Sequence, residues 1–241
     1  MNIAIFGANG QTGRLLTGQA LAAGHRVVAV TRRPDDFPLS DPKLTAAAAD
    51  VRDAAAVTEV VAGVDAVLST LGVSFTREAV NAYSVGTGNI VAAMQTAGVR
   101  RLAVVSSTGA YPTRRTEFPL SLRVFEPIIT RTIGKTVYDD MRRMETIVRA
   151  SALDWTIVRP SGLFDLRAPT DYHAGEVDPI GGFTARIDLA HYLLALADDS
   201  ATIGRTVVVS TTEHTPTVWQ MIRREARSRP AGDPSPAAPT P

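Results

Sequence analysis

The chain contains no cysteine among its 241 residues. This absence excludes disulfide bonds, thiolate nucleophiles and sulfur-ligated metal sites. Excess charge of one sign is also missing, because 25 Lys and Arg residues face 24 Asp and Glu residues. A net charge of +1 provides no broad basic field for nucleic acid or an acidic membrane surface. No apolar run approaches the roughly 20 residues that span a bilayer, so we expect neither nucleic-acid nor membrane partners.

Histidine is scarce and scattered. The four histidines show no H-x-x-x-H or histidine–carboxylate spacing, and no G-x-S-x-G nucleophile elbow occurs. The sequence therefore predicts no metal site. A strand pattern begins at residue 2, directly after Met1, and leaves no basic segment of a signal peptide. We expect a cytoplasmic protein.

Short apolar runs alternate with stretches of helical period along most of the chain. This order predicts βαβ units and an α/β fold: a Rossmann-like, doubly wound parallel sheet with three layers in a single domain, residues 1–228. A ligand crevice is expected where strand order reverses, at the carboxyl ends of the first and fourth strands. Residues 229–241 are rich in Pro and Ala, which predicts a disordered tail. The predicted strands are 2–6, 27–30, 44–49, 66–69, 102–106, 155–159 and 206–209, and the predicted helices are 13–23, 54–61, 79–97, 137–149, 189–197 and 217–227.

A glycine-rich turn follows the first strand and opens the first helix. It reads Gly7-Ala8-Asn9-Gly10-Gln11-Thr12-Gly13. Glycines let the backbone turn tightly and approach a pyrophosphate, to which the helix N-terminus offers unpaired N–H groups. The spacing G-x-x-G-x-x-G differs from the common G-x-G-x-x-G. The pattern favours dinucleotide binding, and the alternative is a βα turn without a ligand.

Two arginines follow the second strand, in Thr31-Arg32-Arg33-Pro34. Enzymes that use NAD usually place a carboxylate here for the ribose 2′-hydroxyl. Guanidinium groups can instead bind a 2′-phosphate through charge-assisted hydrogen bonds. The sequence therefore favours NADP(H), although both arginines could simply be solvated.

Four segments in order carry a resemblance to a known family. The segments that carry the resemblance are the glycine turn, 68–72 (Leu-Ser-Thr-Leu-Gly), 104–111 (Val-Val-Ser-Ser-Thr-Gly-Ala-Tyr) and 154–160 (Asp-Trp-Thr-Ile-Val-Arg-Pro). Through them the chain resembles atypical short-chain dehydrogenase/reductases of the NAD(P)H-binding, NmrA-like and biliverdin/flavin-reductase-like group. The resemblance covers residues 1 to 228 and is specific for the superfamily, not for one reaction.

The resemblance implies a set of cofactor contacts. Asp50 and Val51 correspond to the pair beside the adenine, although Asp50 could instead cap the next helix in competition with Asp53. Thr70-Leu71-Gly72 corresponds to the segment under the ribose and pyrophosphate, and Pro160 to the backbone facing the nicotinamide amide. The complete implied set is Gly7, Asn9, Gly10, Gln11, Thr12, Gly13, Arg32, Arg33, Asp50, Val51, Thr70, Leu71, Gly72, Ser106 and Pro160.

The family's catalytic Tyr-x-x-x-Lys pair is absent. Depending on the register, its positions fall on Val137 and Met141 or on Tyr138 and Arg142. The remaining candidates for catalysis are Ser107, Thr108, Tyr138 and Arg142, with Ser107 as the first choice for polarising an acceptor. Alternatively, the hydroxyl groups satisfy backbone groups at the strand end.

The substrate is expected between two long loops, 112–135 and 164–185. The combined pattern predicts an NADPH-dependent oxidoreductase that transfers hydride to a small planar aromatic, flavin, quinone or carbonyl acceptor, acting as a monomer or homodimer. The alternative is a non-catalytic NADP(H)-binding sensor of NmrA-like type. Asp188 is expected to cap a helix that begins at Leu189.

Overall fold

The computed structural model describes residues 1–76, 78–111 and 134–216. The strands are β1 (Asn2–Phe6), β2 (Arg26–Thr31), β3 (Leu44–Ala48), β4 (Ala66–Ser69), β5 (Arg101–Val105), β6 (Asp154–Pro160), β7 (Gly162–Phe164), β8 (His173–Gly175), β9 (Phe183–Ala185) and β10 (Arg205–Ser210). The helices are α1 (Gln11–Ala22), α2 (Ala54–Val61), α3 (Ala82–Ala97), α4 (Lys135–Ala150) and α5 (Arg186–Ala195).

The main sheet has the doubly wound order. Eight strands lie in the order β3-β2-β1-β4-β5-β6-β10-β8, and every pair except β10–β8 is parallel. Strand order reverses between β1 and β4, which places the crevice where the sequence predicted it. The predicted Rossmann-like α/β fold is confirmed.

Two hydrophobic clusters make the three layers. Alternate residues of one strand point to opposite faces, so Ala4 and Phe6 join one cluster while Ile3 and Ile5 join the other. The first cluster includes buried residues of α2, α3 and α4, and the second includes those of α1 and α5. In the part of the chain described here, no helix is long and apolar enough to cross a membrane.

Three short strands that were not predicted lie near the segment expected to be a loop, 164–185: β8 and β9 lie inside it, and β7 ends at its first residue. β7 and β9 form a separate parallel pair, and β8 adds to the edge of the main sheet antiparallel to β10. Each has three residues, too few for a period-two pattern to stand out in a sequence.

The start of α5 corrects the prediction for Asp188. The helix begins at Arg186, so Asp188 lies inside its first turn and is fully buried. Its carboxylate accepts hydrogen bonds from Thr170 N (2.8 Å), Thr170 Oγ1 (2.8 Å) and Thr211 Oγ1 (2.6 Å). Asp188 is therefore a buried carboxylate that connects two loops, and it is not a helix cap. Its role depends on tertiary partners that lie far from it in the sequence.

Several predictions lie outside the described residues. They concern residues 112–133 of the predicted substrate loop 112–135, the predicted helix 217–227 and the predicted tail 229–241.

Candidate functional site

A cleft of about 1380 Å³ runs along the carboxyl ends of the parallel strands. It is lined by the loops after β1, β2, β3, β4, β5 and β6, and by one face of α4. Among the sequence-predicted residues, those that line it are Gly7, Asn9, Gly10, Gln11, Thr12, Arg32, Arg33, Asp50, Val51, Thr70, Leu71, Gly72, Ser106, Ser107, Thr108, Tyr138 and Pro160. Gly13 and Arg142 are not part of this lining.

The glycine turn leaves no room for side chains at two positions. Gly7 has φ of +75°, and a Cβ there would lie 2.7 Å from the carbonyl oxygen of Thr70. A Cβ at Gly13 would lie 2.3 Å from the Gly7 oxygen and 2.7 Å from Ala8 Cα. Gly13 thus acts beneath the cleft, by letting α1 pack against the turn that forms the cleft wall.

The start of α1 is open toward the cleft. Gly10 is its N-cap and supplies no side-chain oxygen to the first-turn N–H groups. Thr70 Oγ1 donates to the Phe6 carbonyl (3.0 Å), which ties the end of β4 to the end of β1. A tight glycine turn and an uncapped helix start fit a phosphate ligand.

Arginines surround the end of the cleft formed by β2 and β3. Arg33 is 77% exposed in its side chain, and its Nε lies 3.5 Å from Asp36. Arg52, which sequence reasoning did not single out, donates through Nε (3.0 Å) and Nη2 (2.7 Å) to Asp50. These hydrogen bonds, helped by the charge of Arg32, hold the pKa of the Asp50 carboxyl well below its usual range.

Asp50 does not cap α2. That cap is Asp53, whose carboxylate accepts from the N–H groups of Ala55 (3.0 Å) and Ala56 (3.2 Å). The competing interpretation of Asp50 as the helix cap is therefore wrong. Asp50 instead presents its carboxylate, paired with Arg52, at the cleft.

Val51 is positioned by α3. Asn89 Nδ2 donates to the Val51 carbonyl (3.0 Å), and a Cβ at Gly86 would lie 2.6 Å from Val51 Cγ1. Gly86 therefore lets the Val51 side chain pack against the helix. Neither α3 residue could be identified from the sequence, because the contact joins positions more than 30 residues apart.

Three consecutive hydroxyl groups follow β5, and each has a different partner. Ser106 Oγ donates to Glu145 Oε1 (2.7 Å). Ser107 Oγ accepts the Gly109 N–H (3.1 Å), which leaves the hydroxyl hydrogen of Ser107 unused by that bond. Thr108 Oγ1 donates to Ser161 Oγ at 3.5 Å. Ser107 therefore satisfies a backbone group, as the alternative interpretation expected, and keeps a hydroxyl hydrogen that this bond does not use.

A buried carboxylate holds the turn that carries Ser107. Glu145 of α4 is fully buried and accepts hydrogen bonds from Arg159 Nε (2.9 Å) and Arg149 Nη2 (3.2 Å) in addition to Ser106. The Arg159 guanidinium also lies 4.0 Å from the centre of the Tyr111 ring, just beyond the turn. Residues 106 and 111 are thus both anchored to one charged network.

The structure distinguishes the two possible registers of the Tyr-x-x-x-Lys positions on α4. Val137, Tyr138 and Met141 line the cleft, whereas the Arg142 guanidinium bonds Asp139 and the Ala110 carbonyl. The Tyr138 ring packs near Phe75, with 5.8 Å between ring centres. A Cβ at Gly109 would meet Tyr138 Cζ at 2.7 Å, so the ring lies directly on that backbone.

The far wall of the cleft was anticipated only in part, because Phe183 lies in the predicted substrate loop 164–185 whereas Ser161, Leu163 and Arg186 do not. It follows β6 and includes Ser161, Leu163, Phe183 and Arg186, supported by the β7–β9 pair. Ser161 N donates to Thr184 Oγ1 (3.0 Å), which donates to the Val209 carbonyl (2.6 Å). Cross-strand contacts of this kind leave no local sequence pattern.

The chain belongs to the NAD(P)H-binding family, whose model matches residues 7–200. An uncharacterized protein of Mycobacterium tuberculosis is 40% identical over 108 residues, which are 44% of this chain and 12% of that protein. The matched segment is thus about an eighth of the length of that curated relative.

Solved structures of similar fold include three reductase-like proteins. A short-chain dehydrogenase/reductase from Veillonella parvula in complex with NADP is 19% identical with a TM-score of 0.71, covering 88% of this chain and 95% of that one. The anaerobillin reductase ChuY from Escherichia coli O157:H7 is 20% identical with a TM-score of 0.69, covering 90% and 100%. The oxidoreductase ylbE from Lactococcus lactis is 16% identical with a TM-score of 0.73, covering 97% and 100%. At these low identities, the TM-scores show a shared fold and nothing more specific.

Proposed function

We propose that this member of the NAD(P)H-binding family is an NADPH-dependent reductase of a small, planar acceptor such as a flavin, a quinone or an aromatic carbonyl compound. The observation that carries the proposal is the hydroxyl of Ser107. Ser107 lines the cleft, and the hydrogen bond that its oxygen accepts from the Gly109 N–H does not use the hydroxyl hydrogen, which could be donated to an acceptor.

NADP(H) is the proposed cofactor. Gly7, Gly10 and the start of α1 would hold the pyrophosphate, Thr70 would lie beneath it, and Arg32 and Arg33 would bind the 2′-phosphate. Asp50 and Val51 would border the adenine. When bound, the cofactor supplies the hydride, and the protein has to bind, orient and shield the reactants.

The acceptor would lie against the hydroxyl groups and the apolar wall. Ser107 would donate a hydrogen bond to the acceptor oxygen or nitrogen as negative charge develops there. Tyr138 and Phe75 would offer aromatic faces to a planar ring. Thr108 would orient Ser161 through their hydrogen bond. Ser106, bonded to Glu145, would hold the turn that carries Ser107.

The residues of α4 support the choice of flavins and quinones as acceptors. The helix presents Val137, Tyr138 and Met141 to the cleft, and Arg142 is engaged elsewhere. The family's tyrosine–lysine proton donor is therefore not reproduced. Flavins and quinones need less acid catalysis from the protein than ketones do, so they are the favoured acceptors. Arg142 is proposed as a residue that positions the Ala110 carbonyl, not as a proton donor.

The decisive experiment measures NADPH oxidation with a panel of flavins, quinones and carbonyl compounds. Ser107→Ala should lower kcat by about 10- to 100-fold, the range expected for a lost hydrogen bond to a group that becomes charged. Its Kd for NADP⁺ should stay unchanged. Ser107→Thr keeps the hydroxyl and should retain most of the activity. The matched control is Ser40→Ala, at an exposed serine away from the cleft.

The second candidate is a non-catalytic NADP(H) sensor, favoured by the lost Tyr-x-x-x-Lys pair of α4. Micromolar binding of NADP(H) with no turnover of any acceptor in the panel would support this candidate and overturn the reductase.

A further inference from the structure

Arg186 is the one cationic side chain among the described lining residues that does not come from the β2 and β3 end of the cleft. The other three are Arg32, Arg33 and Arg52, which follow β2 and β3. Arg186 is the first residue of α5 and directly follows β9. It shares the wall after β6 with Leu163 and Phe183, on the side of the cleft where Ser161 lies.

The guanidinium of Arg186 is paired with one carboxylate and has further N–H donors that can bind a ligand. Within the described residues its ion pair is with Asp165, at 2.8 Å between Nη1 and Oδ1. The Arg186 side chain is 20% exposed, whereas that of Asp165 is 61% exposed. An ion pair with such an exposed carboxylate contributes little, so a ligand anion can replace or join Asp165. The nearby Asp188 is occupied by Thr170 and Thr211.

Resting on the reductase function proposed above, we propose that Arg186 binds an anionic group of the acceptor, a carboxylate or phosphate carried by the planar ring system. A guanidinium can hold either group through two parallel hydrogen bonds, and its partial burial keeps the attraction from being screened. Leu163 and Phe183 beside it would contact the apolar part of the same molecule. The substrate class is therefore a planar, anionic acceptor.

Cofactor phosphates are the competing partner for Arg186. The glycine turn and the uncapped start of α1 provide for the pyrophosphate, and the arginines after β2 provide for a 2′-phosphate. Arg186 lies on the wall after β6, and the carbonyl of the next residue, Ile187, accepts from Gln19 Nε2 (3.2 Å) in the second half of α1, away from the start of that helix. This position leaves the Arg186 charge available to the acceptor.

The test compares FMN with riboflavin, which differ by a single phosphate. Flavin fluorescence quenching gives the Kd of each for protein saturated with NADP⁺. FMN should bind about tenfold more tightly than riboflavin, as expected for a charge-assisted pair. Arg186→Gln should abolish this preference. Arg100→Gln, which removes an exposed arginine paired with Asp154, should leave it intact.

Asp165→Asn provides the opposite change. Removing the competing carboxylate should strengthen FMN binding a few-fold without affecting riboflavin, a gain that damaged folding cannot produce. Equal binding of the two flavins, or no binding of either, would overturn the inference. So would an Arg186→Gln protein that loses NADP⁺ affinity but keeps the FMN preference, since Arg186 would then serve the cofactor. Oxidation of NADPH by a neutral quinone tests the reductase function separately.

Discussion

The two halves of the cleft are built by different means. The half after β1 to β4 is formed largely by backbone: a glycine turn, an uncapped helix start and a threonine that ties two strand ends. The half after β5 and β6 is formed by side chains, in which a buried carboxylate and two arginines anchor Ser106, the first of three consecutive hydroxyl residues. Backbone geometry suits a constant ligand such as a dinucleotide, whereas a side-chain network can change with the substrate.

The comparison predicts that each half can be damaged without the other. Substitutions in the glycine turn should remove cofactor binding, and substitutions in the network around Glu145 should affect turnover and stability with cofactor affinity retained.

Gly13→Ala should have the largest effect. Its Cβ would lie 2.3 Å from the Gly7 oxygen, and backbone atoms on both sides cannot move apart without displacing α1. We expect a loss of about 2–3 kcal/mol in the free energy of unfolding and of all measurable NADP⁺ binding. Urea denaturation and calorimetric titration measure both. Gly18→Ala in the same helix meets nothing within 4 Å and should stabilise the protein by about 0.5–1 kcal/mol. Normal binding by the Gly13→Ala protein would contradict this account.

Glu145→Gln should rank second. The substitution removes the buried negative charge that pairs with Arg159 and Arg149, and because both arginines are partly exposed we expect a cost of about 2 kcal/mol in unfolding free energy. Turnover should fall because Ser106 loses its carboxylate partner and the Ser107 turn shifts, while the Kd for NADP⁺ stays within about twofold. Denaturation, kcat and Kd are measured on one preparation. Arg100→Gln breaks the exposed pair with Asp154 and should change little. A parallel loss of NADP⁺ affinity would show that the halves are coupled.

Replacing both Arg32 and Arg33 by Ala should produce the smallest and most selective effect. Two lost charge-assisted contacts should weaken NADP⁺ binding about 10- to 100-fold and leave NAD⁺ binding nearly unchanged. Arg52→Ala serves as a comparison, since that guanidinium is already paired with Asp50, and should have a smaller effect. Equal losses for both cofactors would contradict 2′-phosphate recognition by Arg32 and Arg33.

How much could be predicted from the sequence differs between the same two halves. Several residues of the first half could be named because each directly follows a strand that the sequence predicts: the glycine turn, Arg32, Arg33, Asp50 and Val51. Arg52, Gly86 and Asn89 could not, since their roles depend on contacts with residues elsewhere in the chain. In the other half, Ser107 could be named from its motif. Ser161 could not, since its role depends on contacts with Thr108 and Thr184, and Arg186 follows β9, a strand too short to recognise.

The sequence by itself determined the α/β architecture, the place where strand order reverses and the glycine turn between β1 and α1. All three follow from local patterns: apolar periodicity, glycines and the order of strands and helices. Only the tertiary structure decided which partner each hydroxyl after β5 has, that the carboxylate of Asp188 is buried and bonded to two threonines, and that Arg142 bonds the Ala110 carbonyl while Arg186 lines the cleft. These depend on which distant residues meet a side chain, because a hydroxyl or guanidinium takes its role from its partners.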